Sequence, residues 1–197
     1  MSGKPQYDES AVLNAAIGVF WRHGYANASI SNLTEATGLS RSSLYQRFGD
    51  KDGLFIESLE LYKDRVLTRM KSIPAQTSVA RVEALLREFL PNEGGVKSPS
   101  GCLISRSNAE QEDLTVAGRV IASAAACQQR QIILEILTEG QSSGEIEPHV
   151  DIDVLAWYYF GVLQAIVSLP SIGATRHTLE HFVDMAMSAW PEKNTSV

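Results

Sequence analysis

The 197-residue sequence lacks the features that several classes of protein require. Its two cysteines, Cys102 and Cys127, are too few for a disulfide scaffold. The first ten residues, MSGKPQYDES, are polar and contain no apolar signal segment. The sequence also has no internal repeat and no alternating strand pattern, whereas 44% hydrophobic residues are ample for a buried core. We therefore expect an all-α protein of the cytoplasm rather than a secreted or disulfide-rich one.

Two short patterns typical of hydrolases occur without the context that catalysis needs. Residues 177–181, HTLEH, match the zinc motif H-x-x-E-H, but a further carboxylate ligand is needed and Glu192 is the only later glutamate. Residues 140–144, GQSSG, match G-x-S-x-G, but no strand precedes them and EIEPHVD follows instead of a helix. Glycine-rich phosphate loops and zinc-spaced cysteines are absent as well. The sequence therefore predicts no enzyme, no metal and no other cofactor.

The most informative segment is residues 29–51, SISNLTEATGLSRSSLYQRFGDK. Ser29 can cap a first short helix, in which Ile30, Leu33 and Ala36 form an apolar stripe. Gly38 can end this helix in the left-handed conformation. The pattern of two short helices around a tight turn predicts a helix-turn-helix.

The second helix of this motif should present a polar face to DNA. Ser40 can cap it, and Leu44 and Phe48 lie four residues apart on one face, so they should pack inward. Arg and Gln side chains can bond guanine or adenine edges, while Ser and Tyr hydroxyls and Lys51 suit phosphate oxygens. The residues left outside the apolar stripe are Arg41, Ser42, Ser43, Tyr45, Gln46 and Arg47.

A third helix is predicted upstream, because two helices of this size cannot bury a core alone. Residues 10–23 place Val12, Ala16, Val19 and Phe20 on one helical stripe, and Gly24 follows as a stop. The three helices would form a head with the motif at its centre. A generic three-helix packing unit without a DNA role would show the same local pattern.

The run AAIGVFWRHGYANASISNLTEATGLSRSSLYQRFGDKDGLF resembles the N-terminal domain of the tetracycline-repressor (TetR) family. The matching positions, without a gap, are Phe20, Gly24-Tyr25, Ser29-Ile30, Gly38-Leu39-Ser40, Leu44-Tyr45, Phe48 and Lys51. The resemblance implies that Ser29, Tyr45 and Lys51 contact phosphates. It also implies that Arg41, Ser42, Ser43 and Gln46 reach base edges. Two positions depart from the family, since Ser42 stands where glycine is frequent and Thr34 where alanine is usual.

The net charge of −6 is unevenly distributed along the chain. Residues 1–72 contain nine Lys/Arg and eight Asp/Glu, whereas the remainder contains eight and fifteen. The acidic charge therefore lies downstream of the predicted DNA-binding head. Phosphate contacts would be local, and binding should weaken as salt rises.

Helical periodicity continues beyond the head and predicts a second domain. Helices are expected over residues 52–72, 78–90, 151–169 and 177–190, with one or two more over 102–139. The stretch NEGGVKSPSG, residues 92–101, is the most loop-like in the chain. We expect a DNA-binding domain over residues 1–51 and a larger helical ligand-binding and dimerisation domain over 52–197.

The last two helices predict a homodimer. Residues 154–169, VLAWYYFGVLQAIVSL, are apolar on nearly every face, so they must be buried in a membrane, a core or an interface. Sixteen residues are short for a membrane span. We expect the last two helices to pair with those of a second copy, as they do in the family, so that two heads read a near-palindromic operator. The predicted interface residues are Val154, Gly161, Ala165, Leu179, Phe182, Val183, Ala186 and Trp190.

The resemblance further implies that a small effector binds the helical domain and releases the DNA. Aromatic residues that could line its pocket are Phe89, Trp157, Tyr158, Tyr159 and Phe160, although ordinary packing would explain each of them as well. Cys102, in SGCLISRSNAE, is predicted near a helix start with Arg106 one turn on, which favours a thiolate. The GCL segment is similar to one in TetR regulators, some of which respond to electrophiles or oxidants. A small buried packing residue is the other interpretation of Cys102.

The sequence thus predicts a dimeric DNA-binding transcriptional regulator, more specifically a repressor released by a small molecule or a reactive electrophile. The alternative is a small-molecule or metal sensor that acts through protein contacts without binding DNA.

Overall fold

The structure is a computed structural model that describes residues 7–92 and 101–191. Its helices are α1 (Glu9–Asn27), α2 (Ile30–Thr37), α3 (Arg41–Phe48), α4 (Lys51–Lys71), α5 (Ser78–Glu88), α6 (Leu103–Ala109), α7 (Val116–Ser142), α8 (Ile152–Ser168) and α9 (Arg176–Met187). Short 3-10 helices span Gln111–Asp113 and Leu169–Ile172. The described ranges contain no strand, which confirms the all-α prediction. Residues 93–100 of the predicted loop, and Glu192, lie outside the described residues.

The predicted caps define the two short helices of the motif. The Ser29 hydroxyl accepts a hydrogen bond from the Asn32 N–H at 3.1 Å, and the two residues form a capping box. Gly38 ends α2 with a φ of 70°, a left-handed conformation that glycine adopts without steric cost. The Ser40 hydroxyl accepts from the Ser43 N–H at 3.1 Å and starts α3. The helix boundaries of the motif are therefore set by local sequence.

The chain divides into two compact units. The first consists of residues up to Val66 together with Cys102–Ala126, and the second of Leu67–Gly101 together with the residues from Cys127 onward. The first unit extends beyond the predicted boundary at residue 51, because the start of α4 packs on α1. The Phe55 ring lies 5.1 Å from the Phe20 ring, and both side chains are fully buried.

The core of the first unit fixes the short helices. Leu33 of α2 and Leu44 of α3 are completely buried, and Phe48 nearly so. Ala36 is exposed, so the predicted apolar stripe of α2 is shorter than expected. Its inward contacts come from Leu33 and the partly buried Ile30. Burial of large aliphatic side chains stabilises each by about 1.5–3 kcal/mol, which anchors helices too short to be stable alone.

In the second unit, α5, α8 and α9 pack against one another. Tyr159 and Ile166 of α8 and Leu179 and Val183 of α9 are buried in its core. A stretch in this unit, Ile152–Ile172, is long and apolar enough to cross a membrane by length and composition. Only 28% of an 18-residue apolar window within it is buried, so much of this apolar surface faces outward.

Candidate nucleic-acid interface

The outward face of α3 is polar, as the sequence predicts. Arg41, Ser42, Tyr45 and Gln46 are exposed, and the Arg41 guanidinium lies 5.7 Å from the centre of the Tyr45 ring. Leu44 on the opposite side is fully buried, so the helix cannot rotate these side chains inward without breaking its core contact. The face can donate and accept hydrogen bonds over two helical turns. That is the chemistry that base-edge recognition in a major groove requires.

The serines at the start of α3 are connected to one another. The Ser40 hydroxyl lies 3.0 Å from that of Ser42 and 2.9 Å from that of Ser43. Ser43 is partly buried, whereas Ser42 is exposed. Ser42 is therefore the better placed of the two for a contact outside the protein.

Arg47 has partners within the protein that its sequence position did not reveal. Its guanidinium donates two hydrogen bonds of 3.0 Å to the Glu57 carboxylate and another to Glu9. These bonds to Glu9 and Glu57 raise the pKa of Arg47. The guanidinium also lies 4.7 Å from the centre of the Phe48 ring. Arg47 thus connects α3 to α1 and α4, which differs from the predicted DNA contact.

Lys51 and Ser29 lie at the edges of the motif. The Lys51 Nζ donates to the Tyr25 carbonyl at 2.9 Å and to the Ala26 carbonyl at 3.4 Å, and it lies 4.4 Å from the centre of the Tyr25 ring. Lys51 therefore brings its charge to the end of α1, at the start of α4. Burial raises the pKa of the Tyr25 phenol, with Asp52 and Asp50 contributing. Ser29 is exposed while its hydroxyl caps α2.

The predicted pocket aromatics of α8 do not share one side of the helix. Tyr159 is buried, and its hydroxyl has no hydrogen-bond partner among the described residues. Burial raises the pKa of Tyr159, so the phenol stays neutral. Trp157 and Tyr158 face outward instead, because successive helical residues are rotated by about 100°. Trp157 and Tyr158 therefore lie at the surface, apart from the buried Tyr159, and their place in an effector pocket stays a prediction.

The remaining pocket candidates have ordinary neighbours. Phe89 lies under the Arg69 guanidinium at 4.7 Å, and the Phe160 ring lies edge-on to Trp157 at 6.0 Å. Both side chains are partly buried.

Cys102 is buried at the N-terminus of α6. Its Sγ lies 3.6 Å from the Tyr62 hydroxyl, and the Tyr62 ring lies edge-on to Trp21 at 5.2 Å. Ser58, one turn before Tyr62 on α4, is fully buried with an unpartnered hydroxyl among the described residues. Cys127 is exposed on α7. The setting of Cys102 is thus polar and aromatic, unlike a purely aliphatic core.

The residues predicted for the dimer surface differ in exposure between α8 and α9, and the apolar stripe of α9 needs correction. Val154 and Trp157 are 62% and 55% exposed, and Gly161 opens onto empty space. Leu179, Val183 and Ala186 are buried in the second unit, because the apolar stripe of α9 faces its own core. Phe182, Ala165 and Trp190 are partly buried. On α9 the large exposed apolar residue is Met185, at 72%, which the sequence pattern did not single out.

The two histidines of H-x-x-E-H lie on the exposed side of α9. The His177 and His181 rings are 4.6 Å apart. Within the described ranges no group of three or more His, Cys, Asp or Glu side chains could hold a metal ion.

A capped α2, a left-handed glycine turn and an α3 with an anchored apolar side and a polar outer side define a helix-turn-helix DNA-binding protein. Residues 12–57 match the family described as bacterial regulatory proteins, tetR family. Residues 78–186 match the tetracyclin repressor-like C-terminal domain. The chain belongs to the TetR family.

Known relatives match this chain over different lengths. The HTH-type transcriptional repressor ComR of Escherichia coli strain K12 is 29% identical, over 96% of this chain and 92% of ComR. AcnR, a repressor of Corynebacterium glutamicum, is 42% identical over 53 residues, 27% of this chain and 28% of AcnR. A cysteine mutant of the TetR family regulator CifR, solved with a 26-bp operator duplex, is 30% identical with a TM-score of 0.83, covering 96% and 100% of the two chains. This chain is accordingly a DNA-binding transcriptional regulator and not an enzyme.

Proposed function

We propose that the protein is a homodimeric repressor that binds a near-palindromic operator through two copies of α3 and is released by a small-molecule effector. The observation that carries the proposal is the polar face of α3, held outward by the buried Leu44 and Phe48. A relative of similar length has been solved on an operator duplex, which supports DNA as the partner.

The exposed side chains of α3 divide by chemistry. Arg41 and Gln46 can each make paired hydrogen bonds to one base, and Ser42 can add a single one. Tyr45, Ser29 and Lys51 suit phosphate oxygens, which position the motif without reading sequence. Ser43 remains a predicted base contact from its partly buried position. Arg47 instead supports α3 through Glu9 and Glu57.

The apolar outer side of α8 supports the homodimer. Val154, Trp157 and Tyr158 form an exposed patch, and Gly161 allows another helix to approach closely. A membrane would also cover this patch, but the stretch lies within the residues that match the tetracyclin repressor-like C-terminal domain. We therefore assign the residues after the head to dimerisation and effector binding, and the protein to the cytoplasm.

Cys102 is our candidate for effector sensing. Cys102, at the start of α6, places its thiol 3.6 Å from the Tyr62 hydroxyl of α4. An electrophile with an activated C=C bond would add the thiol across it: the C–S bond forms at the β-carbon as the π bond breaks, and the α-carbon takes a proton in place of the one that the thiol loses. The effector could equally bind without a covalent bond among these polar and aromatic side chains. Replacing Cys102 with Ser and testing DNA release by electrophiles separates the two, since an unchanged release excludes the covalent route.

Selection from a random duplex library, at near-physiological salt, tests the proposed function. Enrichment of a near-palindrome with half-sites about one helical turn apart, or a multiple, is the expected outcome. A matched selection with Leu44 and Phe48 intact but Arg41 and Gln46 changed to Ala should enrich nothing. Enrichment of a single half-site would refute the dimer. No enrichment with the wild type, once native mass spectrometry shows no bound effector, would favour a sensor acting through protein contacts.

A further inference from the structure

Helix α1 contains a break just before the helix-turn-helix. Gly24 has a φ of 75° and a ψ of 171°, far from helical values, within the span Glu9–Asn27. In an unbroken helix the Tyr25 N–H would donate to the Trp21 carbonyl, four residues earlier. The dihedral angles at Gly24 take these two groups out of line. Both are main-chain groups that need another partner when they are removed from water.

Helix α6 supplies both partners from one ion pair. The Arg106 Nη1 donates to the Trp21 carbonyl at 3.4 Å. The Glu110 Oε2 accepts from the Tyr25 N–H at 3.2 Å. Arg106 and Glu110 are themselves paired, with 2.9 Å between Nε and Oε1. Arg106 lies on α6 and Glu110 is its C-cap, so the two side chains lie four residues apart and match the four-residue spacing of the groups they bind on α1.

The break and the ion pair fit each other closely. A Cβ atom built on Gly24 would overlap the Glu110 carboxylate, so the carboxylate rests directly against the glycine backbone. The Glu110 side chain is 25% exposed, which leaves limited competition from water. A charge-assisted hydrogen bond to a part-buried main-chain N–H is among the stronger kinds. Glycine at position 24 thus permits both the positive φ of the break and the close approach of the Glu110 carboxylate.

The residue held by Glu110 also contacts the start of α4. The Tyr25 carbonyl accepts from Lys51 at 2.9 Å, and the Tyr25 ring packs edge-on to Phe55 at 4.9 Å. The helix resumes with the Ala28 N–H donating to the Gly24 carbonyl at 3.2 Å, immediately before Ser29 caps α2. The orientation of the chain at Tyr25 therefore fixes the direction in which α2 begins.

We infer that Arg106 and Glu110 are positioning residues for DNA recognition, which hold the break in α1 and thereby orient α2 and α3. Neither side chain needs to touch DNA for this role. The inference concerns the DNA-bound geometry and does not require an effector. The inference rests on the proposed function in one respect, namely the link to effector sensing at Cys102. Cys102 lies one turn before Arg106, and its carbonyl accepts a hydrogen bond from the Arg106 N–H at 2.9 Å. A change at Cys102 would then reach the motif through this ion pair.

The test uses the full chain and the duplex that the wild-type chain selects from a random library. Glu110→Ala removes the acceptor for the Tyr25 N–H, Glu110→Gln keeps an acceptor oxygen, and Glu112→Ala removes a nearby exposed carboxylate as the control. We expect Glu110→Ala to weaken binding by at least about fivefold, within the range of typical coupling between sites. Glu110→Gln should stay within about twofold because its amide oxygen still accepts from the Tyr25 N–H. Glu112→Ala should stay within about twofold as well, as ordinary surface substitutions do. The slope of log affinity against log salt should not change, because no phosphate contact is lost.

Hydrogen exchange at the Tyr25 amide distinguishes positioning from simple stabilisation. Exchange at this amide should accelerate in Glu110→Ala and stay slow in Glu110→Gln. Faster exchange with unchanged DNA affinity would overturn the inference, since the bond would then exist without orienting the motif. Unchanged exchange would overturn it as well, because the bond itself would be absent.

A measurement on the wild type covers the case in which Glu110→Ala fails to fold. By reciprocity of coupling, the selected duplex should slow Tyr25 amide exchange in wild type and in Glu110→Gln alike. A duplex that leaves this exchange rate unchanged would contradict the inference. A wild-type chain that binds all duplexes equally would instead count against the proposed operator recognition. Failure of this inference and failure of the proposed function are therefore distinguishable.

Discussion

Replacing Arg47 with Ala should lower stability while leaving DNA sequence preference intact. Arg47 bonds both carboxylate oxygens of Glu57 and one of Glu9, and its guanidinium lies over Phe48. The three side chains are 34–41% exposed, so solvent screens the pairs and each contributes about 0.2–1 kcal/mol. With the loss of the contact to Phe48, we expect a total of about 1–2 kcal/mol. For a domain of this size that lowers Tm by roughly 2–8 °C.

The assay compares thermal unfolding and operator selectivity in the same set of variants. A double-mutant cycle with Glu57→Gln should show coupling between residues 47 and 57, since both single changes break one pair. Gln46→Ala, one residue away and exposed, is the matched control and should leave Tm unchanged while relaxing preference at one base step. If Arg47→Ala leaves Tm unchanged and abolishes selectivity, Arg47 contacts DNA and its assignment as a supporting residue is refuted.

Three further substitutions test other parts of the account. Leu44→Ala should destabilise the protein by about 2–5 kcal/mol, because this side chain is fully buried, and an unchanged denaturant midpoint would contradict the anchoring of α3. Lys51→Met should weaken binding to all duplexes alike and reduce the salt slope by about one, whereas an unchanged slope would mean that Lys51 acts only through Tyr25. Trp157→Glu should yield monomers in analytical ultracentrifugation while the fold survives, and a persistent dimer would move the interface away from α8.

The short helices of the motif were predictable because their signals are local. Ser29, Gly38 and Ser40 act within a few residues of themselves, and the structure places each cap where the sequence predicts it. The burial of Leu44 and Phe48 follows from their spacing alone. For this reason the polar face of α3 could be deduced before any contact was known.

Several partners of the functional side chains could not be predicted, because they are distant in sequence. Arg47 is 38 residues from Glu9, and Tyr25 is 85 residues from Glu110. Helical periodicity identifies an apolar stripe but does not tell which surface covers it. The sequence therefore places the apolar stripe of α9 at a dimer interface, whereas in the structure it faces the core of its own compact unit. Conversely, the exposed Met185 lies outside that stripe.

The most direct test of the central claim compares specific and nonspecific binding by the outer side chains of α3. Titrations of the selected duplex and of a scrambled duplex should be run in parallel for the wild type and for an Arg41→Ala, Gln46→Ala double variant. The wild type should prefer the selected duplex by roughly 10³-fold or more at physiological salt. The double variant should lose most of that preference while binding the scrambled duplex as before, with an unchanged Tm. A double variant that keeps the wild-type preference would show that α3 does not read the operator.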